Sequence, residues 1–159
     1  MYRILEAVDV GPGVRKVVVA APHVAAHYRA GQFVIVRVDG TGERIPLTVA
    51  AADRTDGTIT LFVQGVGKTT KQLNSLTSGD NLHDVAGPLG KPSEIDLYGT
   101  AVVVGGGVGT AIAYPVVRAL VETGNRVIAV VGGRTRDFVI LETELKESGA
   151  EVIVCTDDG

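Results

Sequence analysis

Ala101-Val102-Val103-Val104-Gly105-Gly106-Gly107-Val108-Gly109 is the stretch whose reading decides the fold. A short β-branched apolar run predicts a buried parallel strand. The glycines then let the backbone turn sharply and approach a bulky ligand. A helical pattern follows from about Thr110 to Glu122. A strand, a glycine turn and a helix N-terminus together favour an anion, because backbone N–H groups and the helix dipole both attract negative charge. Gly105, Gly106, Gly107, Val108, Gly109 and Thr110 are therefore candidates for holding a nucleotide phosphate.

The dinucleotide fingerprint G-x-G-x-x-G with a later acidic residue is not met. Counted from Gly105 the third glycine falls at Thr110, and from Gly107 it falls at Ile112. The next strand, near Arg126–Val131, ends in Gly132-Gly133-Arg134 with no acidic residue for a ribose.

From this stretch onward the pattern alternates. It predicts strand 101–104, helix 110–123, strand 126–131, a helix over about 141–148 and strand 151–155, with Gly124-Asn125 and Gly149 as helix stops. That β-α-β-α-β order is the start of a parallel α/β sheet. Such a sheet is thin, and the sequence stops at Asp157-Asp158-Gly159, where a ligand loop is expected. The expectation is a fragment of a longer protein.

The part before Leu97 has strand character instead. Val17–Ala20, Phe33–Val38, Leu47–Ala50 and Thr58–Val63 are short and rich in Val, Ile, Thr and Phe. Turn signals such as Gly11-Pro12-Gly13 and Asp56-Gly57 separate them. One helical piece, about Thr69–Ser75, interrupts them. The expected fold is an antiparallel β-barrel over 1–98 followed by a partial α/β nucleotide-binding domain over 99–159.

Composition excludes several classes. A net charge of −3 argues against a nucleic-acid surface. Leu97–Val117 carries no charge but holds five glycines and Pro115, so it reads as strand, turn and helix rather than a membrane span. Arg3, Glu6 and Asp9 interrupt any apolar leader, which makes the cytoplasm the expected location. The single cysteine, Cys155, rules out a disulfide framework or a cysteine-rich metal site, and its apolar neighbours predict burial. His23, His27 and His83 have no ligand spacing and read as surface residues.

Two further pieces suit phosphate. Gly67-Lys68-Thr69-Thr70 resembles a P-loop, but Phe62 stands where its first glycine belongs. Its glycine, hydroxyls and lysines still fit an anion, and an ordinary helix cap with solvated lysines fits them equally. In Glu43-Arg44-Ile45-Pro46-Leu47-Thr48, an arginine ahead of a strand can hold a pyrophosphate, and a strand hydroxyl can meet a ring nitrogen.

Taken in order, these pieces resemble the ferredoxin–NADP reductase superfamily. Within it they are most similar to the electron-transfer subunits of dihydroorotate dehydrogenase and of NADH-dependent ferredoxin:NADP oxidoreductase. Ala30–Phe33, Gly87–Pro92 and Gly105–Pro115 add to the likeness. The resemblance implies FAD on the barrel. Arg44 would sit at the pyrophosphate, Pro46 and Leu47 along the flavin, and Thr48 near N5, although Arg44 stands one position early for the family pattern. Gly67, Lys68, Thr69 and Thr70 match the segment that caps the FAD pyrophosphate. Gly105–Thr110 match the nicotinamide-nucleotide loop, Gly133 and Arg134 the adenosine-ribose loop, and Asp157 the opening of a third.

The same resemblance implies NAD(H) rather than NADP(H), although Arg134 and Arg136 could hold a 2′-phosphate. It also implies a larger iron–sulfur flavoprotein subunit as hetero-oligomeric partner, and a ferredoxin or similar carrier. Full-length relatives hold a [2Fe–2S] centre on a cysteine cluster, which a chain with Cys155 alone cannot supply. The implied activity is FAD-mediated electron transfer between a nicotinamide nucleotide and iron–sulfur partners, with no catalytic acid or base and no metal ligand in this chain. The alternative is a non-catalytic or truncated docking module of a larger flavoprotein complex.

Overall fold

Period-two alternation builds the first part of the chain from antiparallel strands. The computed structural model describes Met1–Gly159 and divides into two compact units, Met1–Pro92 and Ser93–Gly159. The first unit runs β1 (Tyr2–Gly11), β2 (Val14–Ala20), α1 (Pro22–His27), β3 (Phe33–Arg37), β4 (Arg44–Asp53), β5 (Thr58–Gln64), α2 (Lys68–Asn74), β6 (Asn81–Leu82) and β7 (Asp84–Leu89). Its strands form one sheet in the order β6-β1-β2-β5-β4-β3-β7. Only His83 separates the two outermost strands in sequence, so the sheet curls into a nearly closed barrel. In β5, Ile59, Leu61 and Val63 point inward and are at most 1% exposed, while Thr58, Thr60 and Phe62 alternate with them. Val34, Val36 and Val49 meet them in the core.

A bulge shapes β4. Val49 pairs with Leu61 but Ala51 pairs with Thr60, so Ala50 is the extra residue and both Val49 and Ala50 are buried. Before the bulge, Ile45 and Leu47 pack toward the core. Arg44, Pro46 and Thr48 therefore share the outer side. Across the ladder from them stand Arg37, Ile35 and Phe33 of β3. The ladder from β4 to β5 begins only at Val49. Along Arg44–Thr48, β4 thus has a partner on one edge and an open edge on the other, which suits Pro46 with its missing N–H.

The second unit runs β8 (Thr100–Gly106), α3 (Gly109–Glu122), β9 (Arg126–Gly133), a 3₁₀ turn (Arg136–Phe138), α4 (Glu142–Glu147) and β10 (Glu151–Thr156). Its three strands are parallel in the order β10-β9-β8. Val127, Ala129, Val131, Leu120 and Leu145 are buried between this sheet and its helices. No helix of either unit is long and apolar enough to cross a membrane.

Two burial expectations are corrected. The apolar run 101–104 is not buried on both faces, for Val102 is 62% exposed and Val104 73%. β8 is an edge strand, and the side shared by Val102, Val104 and Ile153 has no covering layer. Cys155 lies on that same side and is exposed, because alternation along β10 turns it away from the buried side. The helix α1 and the strands β1, β6 and β7 were not expected from the sequence. In β1, register shifts between Ile4 and Glu6 and between Asp9 and Gly11 break the alternation that would reveal it.

Candidate functional site

The sequence-expected residues fall into two groups, one in each unit. In the barrel unit, Arg44, Pro46 and Thr48 lie on the outer side of β4, and Leu47 lies on the opposite side against the core. Thr48 is half-buried and pairs with Phe33, which in turn pairs with Leu89 of β7. Gly90 has φ +83°, and a Cβ on it would come within 2.8 Å of the Phe33 ring, so the chain lies directly on that ring. The carbonyl of the same glycine accepts 2.8 Å from the buried Gln32 amide. Strand β4 near Thr48 is held from its other side by Tyr28, whose hydroxyl donates 2.7 Å to the Val49 carbonyl.

The start of α2 comes to the same place. Thr69 is buried, and its hydroxyl donates 2.8 Å to Glu43, the residue next to Arg44. One turn on, Gln72 donates 2.7 Å to Asp39. These two bonds close the β3–β4 loop onto α2 around a cleft of about 400 Å³, lined by Asp39, Thr41, Gly42, Glu43, Lys68, Thr69 and Gln72. Glu43, Asp39 and Gln72 escaped the sequence reading, since partners 26 and 33 residues apart show no local pattern.

The hydroxyls have structural duties. Thr70 accepts from the Gly67 N–H at 2.9 Å and so caps its own helix. What remains for an anion here is the exposed Lys68, the unpartnered backbone N–H groups of the first turn, and the exposed Arg44. That donor set fits a pyrophosphate, with Gly67 leaving room because a Cβ there would meet only the Thr70 hydroxyl, at 3.8 Å.

The bonds of Gln72, Thr41 and Gly42 hold the Asp39 carboxyl down from its ordinary 3.8 to about 2, with the Gln72 amide the largest cause. A depressed folded value means that this contribution is complete above about pH 4 and is lost as pH falls through about 2. The Gln72 side-chain amide resonances should therefore shift in that acid window and stay constant above it. A Thr69→Val variant removes the other bond at nearly constant volume. It should lower stability in urea by about 1 kcal/mol; an unchanged midpoint would mean that the loop is held without it.

In the α/β unit the glycines divide by role. Gly105 is buried, and a Cβ on it would stand 2.9 Å from Thr110 Cα. It lets α3 pack onto the end of β8, where the buried Thr110 hydroxyl donates 3.3 Å to the Gly105 carbonyl. A Cβ on Gly106, Gly107 or Gly109 would meet nothing within 4 Å, and Gly107 has φ +53°. Their backbone is bare for close approach. The Thr110 and Ala111 N–H groups bond back to Gly107 and Val108, while those of Val108 and Gly109 have no backbone partner. Bare glycines and free N–H groups at a helix start fit a nucleotide phosphate.

Gly133 ends β9 and Arg134 follows it, at the same, carboxyl end of the sheet. The Asp157 N–H donates 3.2 Å to the Arg134 carbonyl, which joins the second and third loops. Ligands of open parallel sheets sit at this end. Arg136, on the same loop, is bonded to Glu142.

Residues 2–93 match the family model described as oxidoreductase FAD-binding domain. The chain is 45% identical over 159 residues to a dihydroorotate dehydrogenase B (NAD(+)) electron transfer subunit homolog of Thermotoga maritima, covering all of this chain and 56% of that protein. It is 33% identical over 162 residues to the electron transfer subunit of dihydroorotate dehydrogenase B (NAD(+)) of Streptococcus pneumoniae, covering 99% of this chain and 62% of that one. A solved structure of an NADH-dependent reduced ferredoxin-NADP oxidoreductase superposes with a TM-score of 0.95 at 42% identity, covering all of this chain and 58% of that chain. The chain thus spans little more than half the length of these relatives. With the model match over the whole barrel unit, the chain belongs to the oxidoreductase FAD-binding domain family, within the ferredoxin reductase superfamily that its motifs resemble.

Proposed function

We propose that this chain is the flavin-carrying part of an electron-transfer oxidoreductase subunit. FAD would lie on the barrel unit and a nicotinamide nucleotide, NAD(H) in preference to NADP(H), on the α/β unit. The observation that supports this best is the convergence at β4, where the open edge of Arg44–Thr48 adjoins α2 through the Glu43–Thr69 bond. When bound, FAD supplies the redox chemistry, taking hydride from the nicotinamide and releasing electrons singly to iron–sulfur partners.

The chain's own residues bind and orient. Arg44 and Lys68 supply cations for the pyrophosphate, and the open edge of β4 supplies unpaired backbone donors and acceptors for a flat polar ring. The Thr48 hydroxyl supplies one more hydrogen bond toward that ring. Val108 and Gly109 N–H groups take a nucleotide phosphate, with Gly133, Arg134 and Asp157 lining the adenosine end. No side chain is assigned as acid or base, because hydride transfer requires none. The partners in this reading are a larger iron–sulfur flavoprotein subunit and a ferredoxin-like carrier.

The test is the visible absorption spectrum of the purified chain, with identification of any released cofactor. Flavin bands, FAD on release and bleaching by NADH are expected. A colourless protein that takes up no added FAD would remove the flavoenzyme reading for this chain. In the flavin-loaded protein, Thr48→Val should change the rate of flavin reduction about fivefold, the equivalent of one hydrogen bond near 1 kcal/mol. Unchanged reduction kinetics would remove Thr48 from the flavin site.

A further inference from the structure

The loop between β9 and α4 carries two arginines in different circumstances. Arg134 is exposed and has no carboxylate partner, whereas Arg136 is bonded to Glu142. Glu142 uses both of its oxygens, for its other one accepts 2.7 Å from Lys146 one turn along α4. Its side chain is only 19% exposed, against 64% for Arg136 and 57% for Lys146.

Backbone geometry fixes this carboxylate. Leu141, the residue before it, has φ +63° and ψ +16°, a left-handed conformation that is costly for a non-glycine residue. Burial of Ile140 and Leu141, 4% and 8% exposed, holds the chain there. Ahead of them the 3₁₀ turn lies on Gly133, where a Cβ would come within 2.8 Å of Phe138. The loop is packed at both ends, and Glu142 enters α4 facing Arg136. The bond from Lys146, with a further contribution from the charge of Arg136, keeps the Glu142 carboxyl below its ordinary range and hence ionised.

We propose that Glu142 is a specificity-determining residue of the nucleotide site: by engaging Arg136 it withdraws one guanidinium from the loop after β9 and disfavours a ribose 2′-phosphate. This rests on the reading that the α/β unit binds a nicotinamide nucleotide. A 2′-phosphate needs cationic donors at this sheet end, and an arginine near it is the usual provision. With Arg136 held by Glu142, Arg134 is the one free guanidinium on the loop. Lys146 does not replace the second, since the same carboxylate holds it.

The test compares binding of 5′-ADP and 2′,5′-ADP to the full chain by calorimetry, in the wild type and in Glu142→Gln. The variant should bind 2′,5′-ADP about three- to tenfold more tightly, as expected for one released charge partner at a partly exposed site. Binding of 5′-ADP should stay within about twofold, and the gain should shrink as salt is raised. Adding Arg136→Ala to Glu142→Gln should abolish the gain. Arg136→Ala alone guards against a misfolded Glu142 variant: it should leave the ratio of the two affinities unchanged, because Arg136 is already engaged. A ratio that is unchanged in Glu142→Gln, or one that falls in Arg136→Ala alone, while 5′-ADP still binds, overturns the proposal and leaves the nucleotide reading standing. Failure of every form to bind either probe removes the nucleotide reading and the proposal with it.

Discussion

Gly105→Ala should lower the stability of the α/β unit by about 1–3 kcal/mol, the range for forcing one extra carbon into a packed site. The new Cβ would stand 2.9 Å from Thr110 Cα, 3.2 Å from Thr110 N and 3.3 Å from Ala113 Cβ. The first two are backbone atoms and cannot rotate away. Relief requires α3 to lift from the end of β8, which would stretch the 3.3 Å bond from the Thr110 hydroxyl to the Gly105 carbonyl. Gly106→Ala is the control. Its Cβ would meet nothing within 4 Å, so stability should hold within about 0.5 kcal/mol. If a nucleotide lies along this turn, Gly106→Ala should instead weaken its binding. Urea unfolding and nucleotide titration separate the two effects. A Gly105→Ala midpoint equal to wild type would show slack between β8 and α3 that the distances do not allow.

The glycine turns were legible in the sequence because their geometry leaves little choice of residue. Positive φ at Gly107, Gly124 and Gly149 disfavours a side chain and close packing at Gly105 leaves no room for one, so the punctuation of the α/β unit could be read directly. The strand β5 was legible for a similar reason, since its alternation is unbroken over Thr58–Gln64. What escaped reading depended on tertiary placement. β1 carries two register shifts, and α1 spans only six residues, with Pro22 the first, too few to establish a period. Burial of β8 was overestimated because an apolar run predicts two covered faces, and an edge strand with one layer of helices has only one. In the candidate site, Arg44 stood out as a cation ahead of a strand and Lys68 as one beside a glycine. Glu43 did not, because its partner Thr69 is 26 residues away. Glu142 left half a signal: its spacing to Lys146 is a helical i,i+4 pair, but the left-handed turn at Leu141 that aims it at Arg136 has no sequence mark.

Asn125→Ala should cost the α/β unit about 2–4 kcal/mol, from the loss of four hydrogen bonds at a buried side chain. The side chain is 6% exposed and fully used. Its oxygen accepts from the Tyr98 N–H at 2.6 Å and the Gly99 N–H at 3.0 Å. Its nitrogen donates to the Asp96 carbonyl at 2.9 Å and the Leu120 carbonyl at 3.0 Å. One amide thus ties the segment leading into β8 to the last turn of α3. Alanine leaves the Tyr98 and Gly99 N–H groups and the Asp96 carbonyl without this partner, while the Leu120 carbonyl keeps the backbone N–H of residue 125 at 3.1 Å. The aspartate variant sharpens the test. A carboxylate can still accept from Tyr98 and Gly99 but cannot donate, so it sets negative charge against two carbonyls. Asn125→Asp should therefore be at least as damaging as Asn125→Ala near neutral pH and should recover as the carboxyl is protonated on acidification. The sign follows from burial beside carbonyl oxygens, which raises the carboxyl's pKa in the folded state and makes its ionisation the destabilising step. Urea midpoints for both variants across pH would check it. An alanine variant as stable as wild type would show that the segment before β8 is held by packing alone.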